Sequence, residues 1–198
     1  MYKVYGSLLS RTSRVLWLLE ELGQEYEFIK AGPHDPKVLA LNPSGKVPVL
    51  VDGDTVITDS SAILFYLADK HGQLTYPAGT TERAQQDSLF FALLDEFDAL
   101  LWTKARHGFV LPEDKRVPQV SDSLKWEFDR NFGRMGERFK GPFLQGDKMT
   151  IADILCVHCM SWAKSAGFPM NSDVLKAYGK EMRNRPAYLR MGALAEAA

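Results

Sequence analysis

Ser10-Arg11-Thr12-Ser13 places three hydroxyls within four residues, behind the apolar pair Leu8-Leu9 and just ahead of a helical run that begins near Val15. A hydroxyl at the opening of a helix sits beside unpaired N–H groups and the positive end of the helix dipole, a setting that favours an anion. Two other places suit a ligand. Pro48 has no N–H and interrupts strand pairing, which leaves the backbone of Val47 for an extended ligand. Asp59-Ser60-Ser61 carries N-cap chemistry for an apolar helix, and such a helix start is a seat for a carboxylate. On residue types alone, a plain β-hairpin followed by a well-capped helix describes the same residues.

Two further groupings carry no chemistry. Cys156-Val157-His158-Cys159 contains metal-ligating types, but a zinc site needs a fourth ligand and a second pair at suitable spacing, and neither is present. Inside an apolar helix these residues read as core, so no metal is expected. Thr150-Ile151-Ala152-Asp153 has the spacing of a capping box and is expected to be structural.

The elements that would position these groups follow from periodicity. Tyr2 to Tyr5 suits a strand. Val15, Leu18, Leu19 and Leu22 recur at helical spacing before Gly23, and Glu25 to Lys30 suits a second strand. Gly32 to Pro36 reads as a turn, and Lys37 to Leu41 as a short helix or coil. Val47–Val51 and Thr55–Thr58, joined by Asp52-Gly53-Asp54, read as a hairpin, and the helix capped by Asp59 follows. The order is β-α-β-α-β-β-α. Beyond His71–Thr81, rich in Gly and Pro, only helices are expected: Glu82–Arg106, Gln119–Lys140, Ile151–Ala166, Asn171–Arg183 and Pro186–Leu194, with Gly108–Pro118 as a loop.

Composition narrows the function classes. The 198 residues carry a net charge of −1, which gives no electrostatic footprint for nucleic acid. The chain holds no run of eighteen apolar residues, and MYKVYGS does not read as a signal peptide. No membrane association is therefore expected. Two cysteines in all suit a reducing compartment, so a cytoplasmic location is expected.

The Val47-Pro48 pair, the hairpin and the Asp59-Ser60 helix start together resemble the glutathione-binding half of the glutathione S-transferase family, and the similarity extends over nearly the whole chain. The resemblance implies an α/β plus all-α fold: a thioredoxin-like domain over residues 1–74, a linker over 75–82 and an all-helical domain over 83–198. Thioredoxin-like redox proteins carry Cys-x-x-Cys where this chain has Ser10 and Ser13, and no cysteine precedes Cys156, so dithiol exchange at this site is excluded. Ser10 four residues before Arg14, after two apolar residues, resembles the serine-type transferases. The role this implies for Ser10 is to donate a hydrogen bond to the glutathione sulfur and so favour the thiolate. Tyr5 is the rival donor, as in tyrosine-type relatives.

The resemblance also implies the rest of the site. Val47 would pair its backbone with the cysteinyl residue of glutathione, with Pro48 cis; Asp59 and Ser60 would hold the γ-glutamyl amine and carboxylate; Lys46 and His34 would face the glycyl carboxylate. The family usually has Glu at the position of Asp59. Leu9, Trp102 and Arg106 are candidates for the electrophile pocket, with core packing or a dimer contact as their other reading.

The expected function is a homodimeric transferase that uses glutathione as co-substrate against small hydrophobic electrophiles, with a role in detoxification. A non-catalytic glutathione-fold binding or regulatory subunit is one alternative, and a glutathione-dependent dehalogenase another. A maleylacetoacetate-isomerase-like role is disfavoured, because that branch has a Ser-Ser-Cys signature where this chain has Ser10-Arg11-Thr12.

Overall fold

The computed structural model describes residues 1–195; the last three residues of the expected helical domain, 196–198, lie outside it. The described chain forms two compact units: Met1–Pro77 together with the segment from Arg183 onward, and Ala78–Met182.

The first unit runs β1 (Tyr2–Gly6), α1 (Thr12–Leu22), β2 (Tyr26–Lys30), α2 (Pro36–Leu39), β3 (Val49–Asp52), β4 (Thr55–Thr58) and α3 (Ser60–His71). The strand order is β2-β1-β3-β4. β1 and β2 are parallel, joined through α1, while β3 runs antiparallel to β1 and β4 antiparallel to β3. This is the expected thioredoxin-like order. α1 buries Val15, Leu16, Trp17, Leu18 and Leu19 in succession, more than one amphipathic face. The reason is that α1 is covered by α3 on one flank and by α9 (Pro186–Ala193) on another. Trp17 meets Tyr188 edge-to-face at 4.9 Å, and Arg185 grips the Glu21 carboxylate with two hydrogen bonds of 2.7 and 2.8 Å.

β3 and α3 are tied at the end of the hairpin. Asp52 Oδ2 accepts from the Tyr66 hydroxyl at 2.6 Å and from the Lys70 ammonium. Lys70, and after it Tyr66, hold the Asp52 carboxyl below its usual range.

The second unit is helical. α4 (Thr81–Leu93) and α5 (Ala99–Ala105) are linked by a π-helical turn at Leu94–Asp98, and a second π turn follows at Arg106–Val110. Thr81 to Val110 is therefore one continuous helical run. It passes through Gly108, where a loop is expected from the sequence. The buried Asn131 of α6 (Val120–Arg138) donates Nδ2–H to the Glu96 carbonyl at 3.2 Å, which satisfies an acceptor within the first π turn. α7 (Ile151–Ser165) is buried nearly all round, and α8 (Asp173–Arg183) completes the unit. Its core includes Phe97, Phe128 and Phe168, in edge-to-face contacts of 4.9 and 5.2 Å. Among the described residues no helix is long and apolar enough to cross a membrane.

Candidate functional site

Strand register brings the first unit's candidates to one end of the sheet. Tyr5 pairs with Val49, and Val49 pairs with Thr58. Two residues further along each chain in the same direction stand Ser7, Val47 and Ser60. The turn after β1, the approach to β3 and the start of α3 therefore meet at the same edge, beside the carboxyl ends of β1 and β4.

Ser10 lies in the turn between β1 and α1, half-buried. Its hydroxyl donates to the Ser7 carbonyl at 2.7 Å and lies 2.8 Å from the Thr12 hydroxyl. The Thr12 N–H donates to Ser10 Oγ at 3.2 Å. The side chain of Arg11, the residue ahead of α1, makes no capping bond, so Ser10 occupies an amide that a capping side chain would otherwise take. Tyr5, the rival donor, packs against the cluster of Ala31, Val38 and Val49, alongside Val47.

Val47 precedes the cis peptide bond to Pro48. β3 begins only at Val49, and among the described residues the backbone N–H and C=O of Val47 form no hydrogen bond. A peptide-like ligand could pair there.

Asp59 caps α3: Oδ1 accepts from the N–H groups of Ser61 at 2.8 Å and Ala62 at 3.1 Å. Its backbone has φ 71° and ψ 124°, a conformation costly for a residue with a Cβ, of order 1–3 kcal/mol. Strain of this kind at a capping carboxylate marks a place where orientation matters. Ser60, 2% exposed, accepts at Oγ from Arg14 Nη1 at 3.3 Å. Arg14 is itself 1% exposed, a cation enclosed beneath the openings of both α1 and α3.

Lys46 and His34 are brought together by a loop contact. The His34 N–H donates to the Gly45 carbonyl at 2.8 Å, and the His34 ring occupies the space that a Cβ on residue 45 would need. With φ at 67° as well, position 45 requires glycine. Both side chains are exposed.

The electrophile candidates fall in both units. Leu9 is fully exposed in the first. Trp102 and Arg106 lie one turn apart at the end of α5 in the second, Trp102 half-buried and Arg106 exposed at the start of the second π turn. Among the described residues no cluster of His, Cys, Asp or Glu could hold a metal ion. Among the described residues Cys156 and Cys159 form no disulfide; both are buried, and burial pushes the Cys156 thiol well above its ordinary pKa.

Two contributors are not evident from residue type. In the sequence Arg14 stands out only by its spacing from Ser10, and Thr12 only as one of three hydroxyls ahead of the helix. Only the buried environment between β1, α1 and α3 shows that both are interior polar groups.

A four-stranded mixed sheet of this order, with α1 and α3 packed together, defines a thioredoxin-like fold. The family model of the glutathione S-transferase N-terminal domain matches residues 4–75. A zeta-class glutathione S-transferase of Euphorbia esula is 30% identical, over 78% of this chain and 71% of its own length. Glutathione S-transferase F13 of Arabidopsis thaliana is 29% identical, over 96% and 94%. A theta-class glutathione S-transferase of Xanthomonas axonopodis pv. citri, solved with glutathione bound, superposes with a TM-score of 0.77 at 27% identity, covering 96% of this chain and 95% of that one. The chain belongs to the glutathione S-transferase family and is an enzyme of that kind.

Proposed function

We propose that the chain binds glutathione in extended form at this sheet edge and activates its thiol for conjugation to small hydrophobic electrophiles. The observation that carries the proposal is the backbone of Val47, which forms no hydrogen bond among the described residues and lies by register between Ser7 and Ser60. Glutathione's cysteinyl amide would complete that backbone pairing. The γ-glutamyl end would lie at Asp59 and Ser60, where a carboxylate meets the opening of α3 and an ammonium meets the free lone pairs of Asp59. The glycyl carboxylate would face Lys46 and His34. The glutathione bound to the Xanthomonas relative supports the same ligand here.

Ser10 would turn its proton from the Ser7 carbonyl to the thiolate. The hydrogen bond given up is a neutral one, of about 0.5–1.5 kcal/mol net, and the one gained is to a charged group, of about 1.5–3 kcal/mol. The difference favours the thiolate. A free thiol has a pKa of about 8.5, and each unit of lowering corresponds to about 1.4 kcal/mol. Leu9, Trp102 and Arg106 are the proposed electrophile contacts. Residues 75–82 are the proposed linker, the last two of them already in the first turn of α4. The protein acts in the cytoplasm as a homodimer, which sedimentation would check against the 22.3 kDa chain mass.

Ultraviolet titration of the bound thiolate tests the assignment. In Ser10→Ala the bound-thiol pKa rises towards about 8.5, while glutathione affinity at low pH, where the thiol is neutral, changes little. An unchanged pKa in Ser10→Ala, with a raised one in Tyr5→Phe, would transfer the role to Tyr5.

A further inference from the structure

We infer that Thr12 is a positioning residue for this chemistry, setting the direction in which Ser10 presents its proton; the inference rests on Ser10 being the thiol's donor. Ser10 Oγ has one proton and three neighbours. The Ser7 carbonyl can only accept, so in the structure it receives the Ser10 proton, at 2.7 Å. The Thr12 N–H can only donate, at 3.2 Å. The remaining contact, 2.8 Å to the Thr12 hydroxyl, must then run from Thr12 to Ser10. Thr12 therefore fills both lone-pair directions of Ser10, one from its backbone and one from its side chain. The Ser10 proton is thereby confined to the side of the Ser7 carbonyl, and an incoming acceptor must approach there and compete with that carbonyl for it. An oxygen that accepts two hydrogen bonds is also polarised into a stronger donor.

The surroundings hold Thr12 in this position. Thr12 is fully buried. Its side chain fills the space over Gly6, where a Cβ would collide with the Thr12 hydroxyl and methyl, so β1 ends on a residue that leaves room for it. A surface threonine serving only as a helix former would need neither the burial nor the bare backbone opposite. In the activation step the thiol proton leaves to solvent water. Ser10 and Thr12 both keep their own protons, and Thr12 never touches the sulfur.

The experiment compares Thr12→Val, which keeps the shape and removes the hydroxyl, with Thr12→Ser, which keeps the hydroxyl. Thr12→Ala replaces the valine variant should that one not fold. Each is titrated for the bound-thiol pKa with glutathione, and kcat/KM is measured with an activated aromatic halide. The result expected for Thr12→Val is a bound-thiol pKa raised by less than in Ser10→Ala, and kcat/KM at neutral pH down about three- to tenfold, the equivalent of one neutral hydrogen bond. Glutathione affinity at low pH stays at the wild-type level, and Thr12→Ser restores both quantities. A Thr12→Val pKa equal to wild type, with Ser10→Ala shifted, overturns this inference alone. A shift that Thr12→Ser fails to restore also overturns it, because packing rather than the hydroxyl would then be responsible. An unshifted Ser10→Ala overturns the reading of Ser10 as well.

Discussion

Asp59 combines two roles that a single substitution can separate. Its carboxylate caps α3 through two backbone N–H groups, and in the proposed complex it also carries the charge that meets the γ-glutamyl ammonium. Asparagine caps a helix about as well as aspartate and tolerates a positive φ better than most residues. Asp59→Asn is therefore expected to leave the melting temperature nearly unchanged while glutathione affinity falls roughly tenfold or more, as for a lost charge-assisted bond. Calorimetry together with a thermal melt checks both halves. Equal affinities would remove Asp59 from the site. At this scale the groups of the proposed site on loops and caps were legible in the sequence, since Ser10, Pro48, Asp59 and Ser60 stand out by residue type and spacing. The sequence concealed the burial of Arg14 and Thr12, because a polar residue in a first helical turn looks the same whether it meets water or a buried Ser60 hydroxyl.

Among the elements, α7 shows how a buried carboxylate can serve structure. The capping box is complete: Thr150 Oγ1 accepts from Ala152 N–H, and Asp153 Oδ2 accepts from Thr150 N–H at 2.8 Å. Asp153 Oδ1 also accepts from Leu144 N–H at 2.9 Å and from the Tyr178 hydroxyl at 2.7 Å. Burial raises the Asp153 carboxyl pKa, and these hydrogen bonds pull it back. With the folded pKa above the unfolded value of about 3.9, Asp153 contributes most to stability below that value, and the contribution is lost as pH rises through the folded pKa. Tyr178→Phe removes a donor that favours the charged form. Its cost should therefore be larger at neutral pH than in acid, which urea unfolding at two pH values measures. A cost independent of pH would mean that Tyr178 acts by packing alone. Thr150→Ala should lower stability by about 0.5–2 kcal/mol without changing glutathione affinity in the folded protein.

Some element boundaries were readable from turn residues and caps: β4 and the start of α7 fall where the sequence puts them. The π turns were not, because an extra residue in a helical turn leaves no mark on residue type. Asn131 signals the first of them only once its amide is seen at the Glu96 carbonyl. Asn131→Ala removes that donor from a part-buried carbonyl and should cost about 0.5–1.5 kcal/mol, with the loss visible in urea unfolding. A neutral result would show that the π turn satisfies itself.

In the molecule as a whole, the path of the chain matters more than its order. α9 lies more than 160 residues from α1, yet it belongs to the same compact unit. Nothing in the periodicity of Pro186–Leu194 names that partner; an amphipathic face shows that a helix packs, not where. The contacts supply the reason. Tyr188 covers Trp17, Arg185 pairs with the largely buried Glu21, and Arg190 Nε reaches Glu20 at 2.6 Å. α1 is also the helix whose opening holds Ser10, Thr12 and Arg14, so α9 braces the scaffold of the proposed thiol site from the far side of α1. Removing residues 184–198 should expose Trp17 and uncouple Glu20 and Glu21. The N-terminal amides of α1 should then exchange faster with deuterium, and the thermal shift produced by saturating glutathione should shrink. A ligand present at a hundred times its Kd stabilises a native protein by about 2.7 kcal/mol, so a smaller shift reports weaker binding by the native state. The local substitution Arg185→Met, which removes the paired guanidinium and keeps the length of the side chain, should produce the same two changes to a smaller degree. Unaltered exchange in α1 for both variants would show that α9 rests on the first unit without supporting it.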